Sequence, residues 1–153
     1  MGDDLASTGL TVPPLVTFVI PGEPIAKGRH RASVRNGKVM TYPDAKTRQG
    51  EQDVAVLYLW ARGAARRNDE CGFTVCLDFH VGRRQRRDID NCVKLVLDGL
   101  NGVAWRDDSQ VTELHAKMYH GAVKPYTLVM VEGNHDLPLP APQRRRVSQG
   151  NAR

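Results

Sequence analysis

Residues 73–81 read Phe-Thr-Val-Cys-Leu-Asp-Phe-His-Val, and every second side chain in this segment is large and apolar. Successive side chains of a β-strand point to opposite faces, so the alternation predicts a strand with one face on the core. The residues expected on that face are Phe73, Val75, Leu77, Phe79 and Val81. This is the most clearly defined strand of the chain, and the other elements are placed around it.

A helix is predicted on each side of this strand in the sequence. Asp44 can cap a helix that runs to about Arg62, whose apolar stripe would consist of Val54, Leu57, Tyr58 and Ala61. Residues 91–100 form the second predicted helix, with Asp90 as its N-cap. An Asp98 placed four residues after Lys94 is expected to form an ordinary surface ion pair with it.

The remaining predicted elements are strands. Residues 15–20 form one, and residues 32–35 and 38–42 form a hairpin around the turn sequence Asn36-Gly37. Residues 111–120 and 126–132 form two more. This order predicts an α+β (broadly α/β) fold, in which two main helices pack on a mixed β-sheet.

Length and composition favour one folded domain. The chain has 153 residues, of which 41% are hydrophobic. We expect a flexible leader at 1–14, the domain itself at 15–134 and a basic flexible tail at 135–153. No apolar run approaches the roughly 20 residues of a membrane span, and no signal-peptide pattern begins the chain, so the expected location is cytoplasmic. The three cysteines lack CxxC spacing, which argues against a zinc finger or a disulfide framework.

Positive charge is concentrated in three segments of this chain, whose net charge is +5. Residues 24–48 contain seven Lys or Arg and one Asp, residues 83–87 contain four Arg, and residues 137–153 contain four Arg and no acid. The rest of the chain is therefore acidic on balance. Segregation of this kind is typical of a protein that binds a polyanion and also holds a cation.

Carboxylates follow the second basic segment directly. Asp88 and Asp90 precede Lys94, and Asp108 comes after the second predicted helix. If residue 88 ends an extended segment, Asp88 and Asp90 project to the same side, and Lys94 lies one helical turn beyond Asp90. With Asp108 returned by the following connection, the three carboxylates can converge on a divalent cation. Each residue alone has a structural explanation, as a helix cap or a surface ion pair, and only the combination favours a metal-assisted phosphodiester hydrolase.

These residues resemble the RusA-type Holliday junction resolvases (the endodeoxyribonuclease RusA family), which are common in phages and prophages. The resemblance is strongest over residues 87–111, in Arg-Asp-Ile-Asp-Asn, Lys94, and Trp-Arg-Asp-Asp-Ser-Gln-Val at 105–111. A weaker match is Ile-Pro-Gly-Glu-Pro at 20–24, followed by Lys27, Arg29 and Arg31.

The resemblance implies a homodimer that resolves four-way DNA junctions by paired cuts during recombination and repair, with Mg²⁺ as the cofactor and Mn²⁺ as a substitute. It implies that Asp88, Asp90 and Asp108 are metal ligands and that Lys94 is an essential amine. Lys27, Arg29 and Arg31 would contact the branched DNA. The arginine-rich segment suggests further phosphate contacts from Arg83, Arg84, Arg86 and Arg87.

Two other functions are compatible with part of this pattern. A non-catalytic basic nucleic-acid-binding protein explains the arginines equally well and leaves the acidic cluster unexplained. A glycosyltransferase also uses an Asp-x-Asp motif to hold a metal and a nucleotide, but 153 residues leave little room for its nucleotide-sugar domain.

Overall fold

The computed structural model of the protein describes residues 15–28, 31–67 and 69–134. The expected leader at 1–14 and the expected tail at 135–153 lie outside these residues, and so do Arg29 and His30. Within the described part, no helix is both long enough and apolar enough to cross a membrane.

The described residues form an α+β fold, as the sequence predicts. Two helices pack against a four-stranded mixed sheet whose strand order is β1-β6-β4-β5, and β2 and β3 form a separate hairpin. In chain order the elements are β1 (Val16–Pro21), β2 (Arg31–Arg35), β3 (Lys38–Tyr42), α1 (Ala45–Arg62), β4 (Gly72–Gly82), α2 (Ile89–Leu100), β5 (Val111–Ala122) and β6 (Tyr126–Asn134). A single 3₁₀ turn at Asp108–Gln110 precedes β5.

Strands β4 and β5 are parallel, whereas β6 pairs antiparallel with both β4 and β1. Parallel neighbours need a long crossover, which α2 supplies between β4 and β5. Val111 therefore lies beside Phe73 at the start of β4, and Ala122 lies beside Gly82 at its end. This register determines at which end of the sheet each loop lies.

The core lies between the sheet and the helices. All five apolar residues predicted to share one face of β4 are at most 1% exposed. Val54 and Tyr58 of α1 are buried as expected, but Ala61 is exposed, and Gly50 and Thr47 are buried in its place. The buried stripe lies closer to the N-terminus than predicted, because α1 meets α2 at Gly50, Glu51 and Val54.

The predicted ends of α1 and the predicted hairpin turn are confirmed. Asp44 accepts a hydrogen bond from the Thr47 amide at 2.8 Å, and Gly63 caps the other end with a φ of +64°. Asn36 and Gly37 both have positive φ, which a two-residue turn between twisted antiparallel strands requires.

The two helices approach each other most closely at Gly99 of α2. A Cβ atom on Gly99 would lie 2.8 Å from the Glu51 carbonyl oxygen and 2.8 Å from the Val54 Cβ. We expect Gly99→Ala to lower the free energy of unfolding, because overpacking costs about 1–3 kcal/mol while the better helix propensity of alanine offsets at most about 1 kcal/mol. Urea denaturation measures this, and an unchanged midpoint would show that the helices separate without cost.

Candidate active site

Helix α2 begins with the first two of the predicted site carboxylates. Asp88 is the N-cap, and its carboxylate accepts hydrogen bonds from the Asp90 amide at 3.2 Å and from the Asn91 side chain at 3.1 Å. The prediction that Asp90 caps this helix is wrong, since Asp90 lies within the first turn. The helix starts two residues earlier than predicted because the Asp88 carboxylate accepts the backbone amide of Asp90, one of the free amides of the first turn.

Asp90 and Lys94 form an ion pair across one turn of α2, as the sequence predicts. The Lys94 Nζ lies 2.6 Å from the Asp90 carboxylate, and the two side chains are 54% and 63% exposed. The hydrogen bond to Asp90 raises the pKa of Lys94 above its ordinary value. Lys94 is thus a fully protonated cation at neutral pH, on an open surface at the start of the helix.

The expected pairing of Lys94 with Asp98 is wrong, because Asp98 pairs with Lys27 instead. The Lys27 amide also donates to the Asn91 carbonyl at 2.9 Å, which attaches residues 23–28 to the start of α2. A partner 71 residues away in sequence has no local signal. Of the other residues predicted to contact DNA in this region, Arg31 begins β2 and Arg29 lies outside the described residues.

Asp107 and Asp108 lie at the other end of α2, in the connection to β5. Asp107 caps the 3₁₀ turn and forms a reciprocal capping box with Gln110, whose side chain also donates to the Cys71 carbonyl at 3.1 Å. Trp105 is completely buried and its ring lies 5.6 Å from that of Phe73, so it anchors this connection. Asp108 follows on the surface, exposed to solvent.

Asp107 has a structural role that a pH series can measure. The hydrogen bond from Ser109 lowers the pKa of the Asp107 carboxyl, with a smaller contribution from the positive charge of Arg106. A carboxyl whose pKa is lower in the folded state stabilises that state above its unfolded pKa, and the contribution disappears as pH falls through the folded pKa.

We therefore expect Asp107→Asn, which keeps the capping oxygen, to be less stable than wild type at neutral pH. The difference should narrow as the pH is lowered from about 5 through the folded pKa. Urea midpoints measured at several pH values test this. A difference that stays constant with pH would mean that the charge of Asp107 contributes nothing.

The carboxylates predicted to converge are separated within one chain. Asp88 precedes a helix of 12 residues and Asp108 follows it; at 1.5 Å per residue the helix alone spans about 18 Å. The sheet register agrees, because Asp108 precedes β5 beside the start of β4, whereas Asp88 follows its end. Across the described ranges, no three His, Cys, Asp or Glu side chains are grouped so that they could hold a metal ion. Asp88 has the extended backbone that the prediction assumes, but Asp90 is already helical, so the side-chain alternation of a strand does not apply to this pair.

The chemistry of these carboxylates nevertheless fits a hard divalent cation. Asp88, Asp90 and Asp108 are exposed and offer only oxygen atoms, which are the ligands that Mg²⁺ prefers. One chain brings Asp88 and Asp90 to one end of α2 and Asp108 to the other. The donor set fits the metal, but within one chain only two of the three predicted carboxylates lie at the start of α2.

The arginine segment lies directly before this helix. Arg83, Arg84 and Arg86 are exposed, while Arg87 is half-buried and its Nε has no partner among the described residues. An open groove of about 480 Å³ lies between this segment and the β5–β6 turn, and its lining includes Arg83, Arg84, Val123 and Pro125. Glu23 fixes the base of the groove, since its carboxylate accepts a hydrogen bond from the Gly82 amide at 3.1 Å.

The sequence interpretation missed the role of Gln110. Its side chain joins the Asp107–Asp108 connection to the start of β4, and its Oε1 accepts a hydrogen bond from the Arg106 amide at 2.8 Å. The spacing Asp-x-x-Gln at 107–110 is that of a capping box, so this signal was present in the sequence. The Gln110 side chain orients the connection on whose surface Asp108 lies.

Comparisons with known proteins agree with the resemblance. The family model described as endodeoxyribonuclease RusA matches residues 21–132. The chain is also 31% identical over 141 residues to the uncharacterized protein YqaN of Bacillus subtilis (strain 168), an alignment that covers 76% of this chain and 94% of that protein. A family match of this extent implies a Holliday junction endonuclease with a DNA substrate. The chain belongs to the RusA endodeoxyribonuclease family.

Proposed function

We propose that this protein is a Mg²⁺-dependent, structure-selective endodeoxyribonuclease that resolves four-way DNA junctions by paired cuts. The observation that supports this most directly is the exposed group of Asp88, Asp90 and Lys94 at the start of α2, directly after four arginines. Acidic groups beside a phosphate-binding segment are what metal-assisted phosphodiester hydrolysis needs.

Each of these residues has a role in the proposal. Asp88 and Asp90 hold Mg²⁺, which when bound activates water and polarises the scissile phosphate. Lys94 is kept protonated by Asp90 and can hydrogen-bond the charge that develops on the phosphate or donate a proton to the leaving oxygen. Phosphate contacts position the DNA backbone. The residues that make them in this proposal are Arg83, Arg84, Arg86 and Arg87, together with Lys27, Arg29 and Arg31.

The third carboxylate, we propose, is Asp108 of a second copy of the chain. A two-fold homodimer brings the same surfaces together twice, so two equivalent sites form and two strands of a junction can be cut. Within one chain, α1 and α2 run in the same sense: Gly50 packs on Leu95, and Arg62 donates to the Val103 carbonyl. If two copies of the chain pair with their α1 helices antiparallel, the start of α2 in one copy, with Asp88, lies beside the end of α2 in the other copy, with Asp108.

The outer face of α1 is a suitable surface for such pairing. Val56 and Trp60, one helical turn apart, are 53% and 84% exposed. Large exposed apolar side chains in a group are typical of protein–protein contacts, and tryptophan is enriched at their centres. This supports the proposed homodimer.

The alternative is a non-catalytic protein that binds branched DNA. It is favoured by one observation, that a single chain does not group three metal-binding side chains in its described part. In this case the Asp88 carboxylate would serve only as a helix cap and Asp90 only as a partner of Lys94.

Incubation of an end-labelled, immobile four-way junction with the protein separates the two functions. We expect paired, symmetric cuts with Mg²⁺ or Mn²⁺ and no cuts with EDTA. A matched linear duplex serves as the control for structure selectivity. Tight junction binding without cleavage in any divalent cation would favour the binding protein.

A further inference from the structure

The C-terminal end of α1 carries a second basic region, which the sequence interpretation did not include among the DNA contacts. An open groove of about 430 Å³ lies there between the end of α1, residues 64–67, Asp69 and the turn at Gly102–Val103. Its arginines are Arg62, Arg66 and Arg67. The same turn leads within a few residues to Asp108.

One of these arginines holds the groove in shape. Arg67 donates to the Gly102 carbonyl at 2.7 Å and pairs with Asp69 through two hydrogen bonds, at 2.6 and 3.0 Å. Asp69 is the one acidic residue that lines the groove within the described chain, and Arg67 already neutralises it. Arg67 is thus a positioning residue, and its charge is satisfied within the protein.

The other two arginines, Arg62 and Arg66, give the groove a net positive charge. Arg62 is half-buried. One of its five donor N–H groups donates to the Val103 carbonyl at 2.9 Å, and its buried Nε has no partner in the part of the chain that the structure describes. Its guanidinium carbon lies 5.8 Å from the centre of the Tyr58 ring. Arg66 is exposed at the rim. A half-buried guanidinium with unused donors beside an exposed one is a suitable arrangement for binding a tetrahedral oxyanion.

We infer that this groove binds backbone phosphates of DNA at the Asp108 end of the molecule, through Arg62 and Arg66. The inference rests on the proposed nuclease function for the identity of the polyanion. The groove would add a second set of phosphate contacts at the opposite end of α2 from Arg83–Arg87. If each active site is formed by two copies of the chain, each active site would have arginines from both copies.

The test is the salt dependence of binding to a fluorescent four-way junction, measured by anisotropy in EDTA over a KCl series. Each phosphate contact contributes about 0.9 to the slope of log K against log [salt]. We expect Arg66→Gln to lower the slope by about that amount and to weaken binding by about 5–10-fold near 0.1 M KCl. Arg66→Lys, which keeps the charge, should retain most of the slope.

Two further variants complete the test. Arg62→Lys keeps the charge but loses the planar fork, and we expect weaker binding with a nearly unchanged slope. Lys117→Gln removes an exposed charge from β5, on the sheet face away from the helices, and we expect wild-type binding. Equal effects of Arg66→Gln and Lys117→Gln would mean diffuse attraction, and an unaffected Arg66→Gln would mean no contact; either result overturns the inference.

The outcome is independent of catalysis. If the protein binds the junction with the expected slopes but does not cut it, the result supports phosphate binding in the groove and contradicts the nuclease proposal. If the protein cuts the junction and Arg66→Gln binds as wild type does, the result supports the nuclease proposal and contradicts phosphate binding in the groove. Absence of any junction binding would overturn both.

Discussion

Asp90→Asn is expected to abolish Mg²⁺-dependent cleavage of a four-way junction while leaving junction binding intact. Asparagine has nearly the same shape and keeps one oxygen, so α2 should form normally. It removes the charge that pairs with Lys94 and that the proposed metal ion would require at this position. Since changes even to residues that only support a metal ligand cost about 10–100-fold, we expect the loss of a direct ligand to exceed about 100-fold.

The measurement is single-turnover cleavage with saturating protein, alongside binding of the same junction in EDTA. Asp53→Asn is the matched control, because Asp53 is an exposed carboxylate on α1 that hydrogen-bonds Gln49 one turn earlier. It should cleave as wild type does. Normal cleavage by Asp90→Asn would remove this carboxylate from the mechanism, and loss of binding together with cleavage would indicate a DNA contact instead.

Mixing two inactive variants is expected to restore cleavage of one strand. If each site takes Asp88 from one copy and Asp108 from the other, a dimer of Asp88→Asn with Asp108→Asn has one site with both changes and one site with neither. The intact site can nick a junction once, and paired cuts should not occur. The rate per mixed dimer should approach about half that of wild type, against a loss of about 100-fold or more in each parent.

The mixed dimer can be isolated by co-expressing the two variants with different affinity tags and purifying through both. Nicking is then compared with each parent homodimer on a junction labelled on all four strands. If both carboxylates come from one chain, each site of the mixed dimer carries one change, and the mixture stays inactive. An active Asp108→Asn homodimer would show that Asp108 is not needed in either arrangement.

Local sequence patterns were sufficient for most elements of the fold. The alternation at 73–81, the turn residues Asn36-Gly37, the cap Asp44 and the helix end at Arg62 are all confirmed. Each of these features depends on side chains and backbone groups only a few residues apart, which the sequence displays directly. The start of α2 was misplaced because two suitable capping residues, Asp88 and Asp90, lie within three positions, and either can accept the first free amides.

Contacts between distant residues had no such signal. The pairing of β6 between β1 and β4, and the ion pair of Lys27 with Asp98, depend on how the sheet is assembled. The same applies to the groove at Arg62 and Arg66, since its wall is a turn some forty residues further along the chain. Sequence neighbours of these arginines carry no sign that a groove exists there.

The composition of the candidate site is evident from the sequence: carboxylates and an amine near a helix start, preceded by arginines, in an order that resembles the RusA family. That Asp88 and Asp108 lie at opposite ends of α2 follows from the assembly of the sheet. The parallel pairing of β4 with β5 requires a crossover helix, which returns the chain to the far end of the sheet.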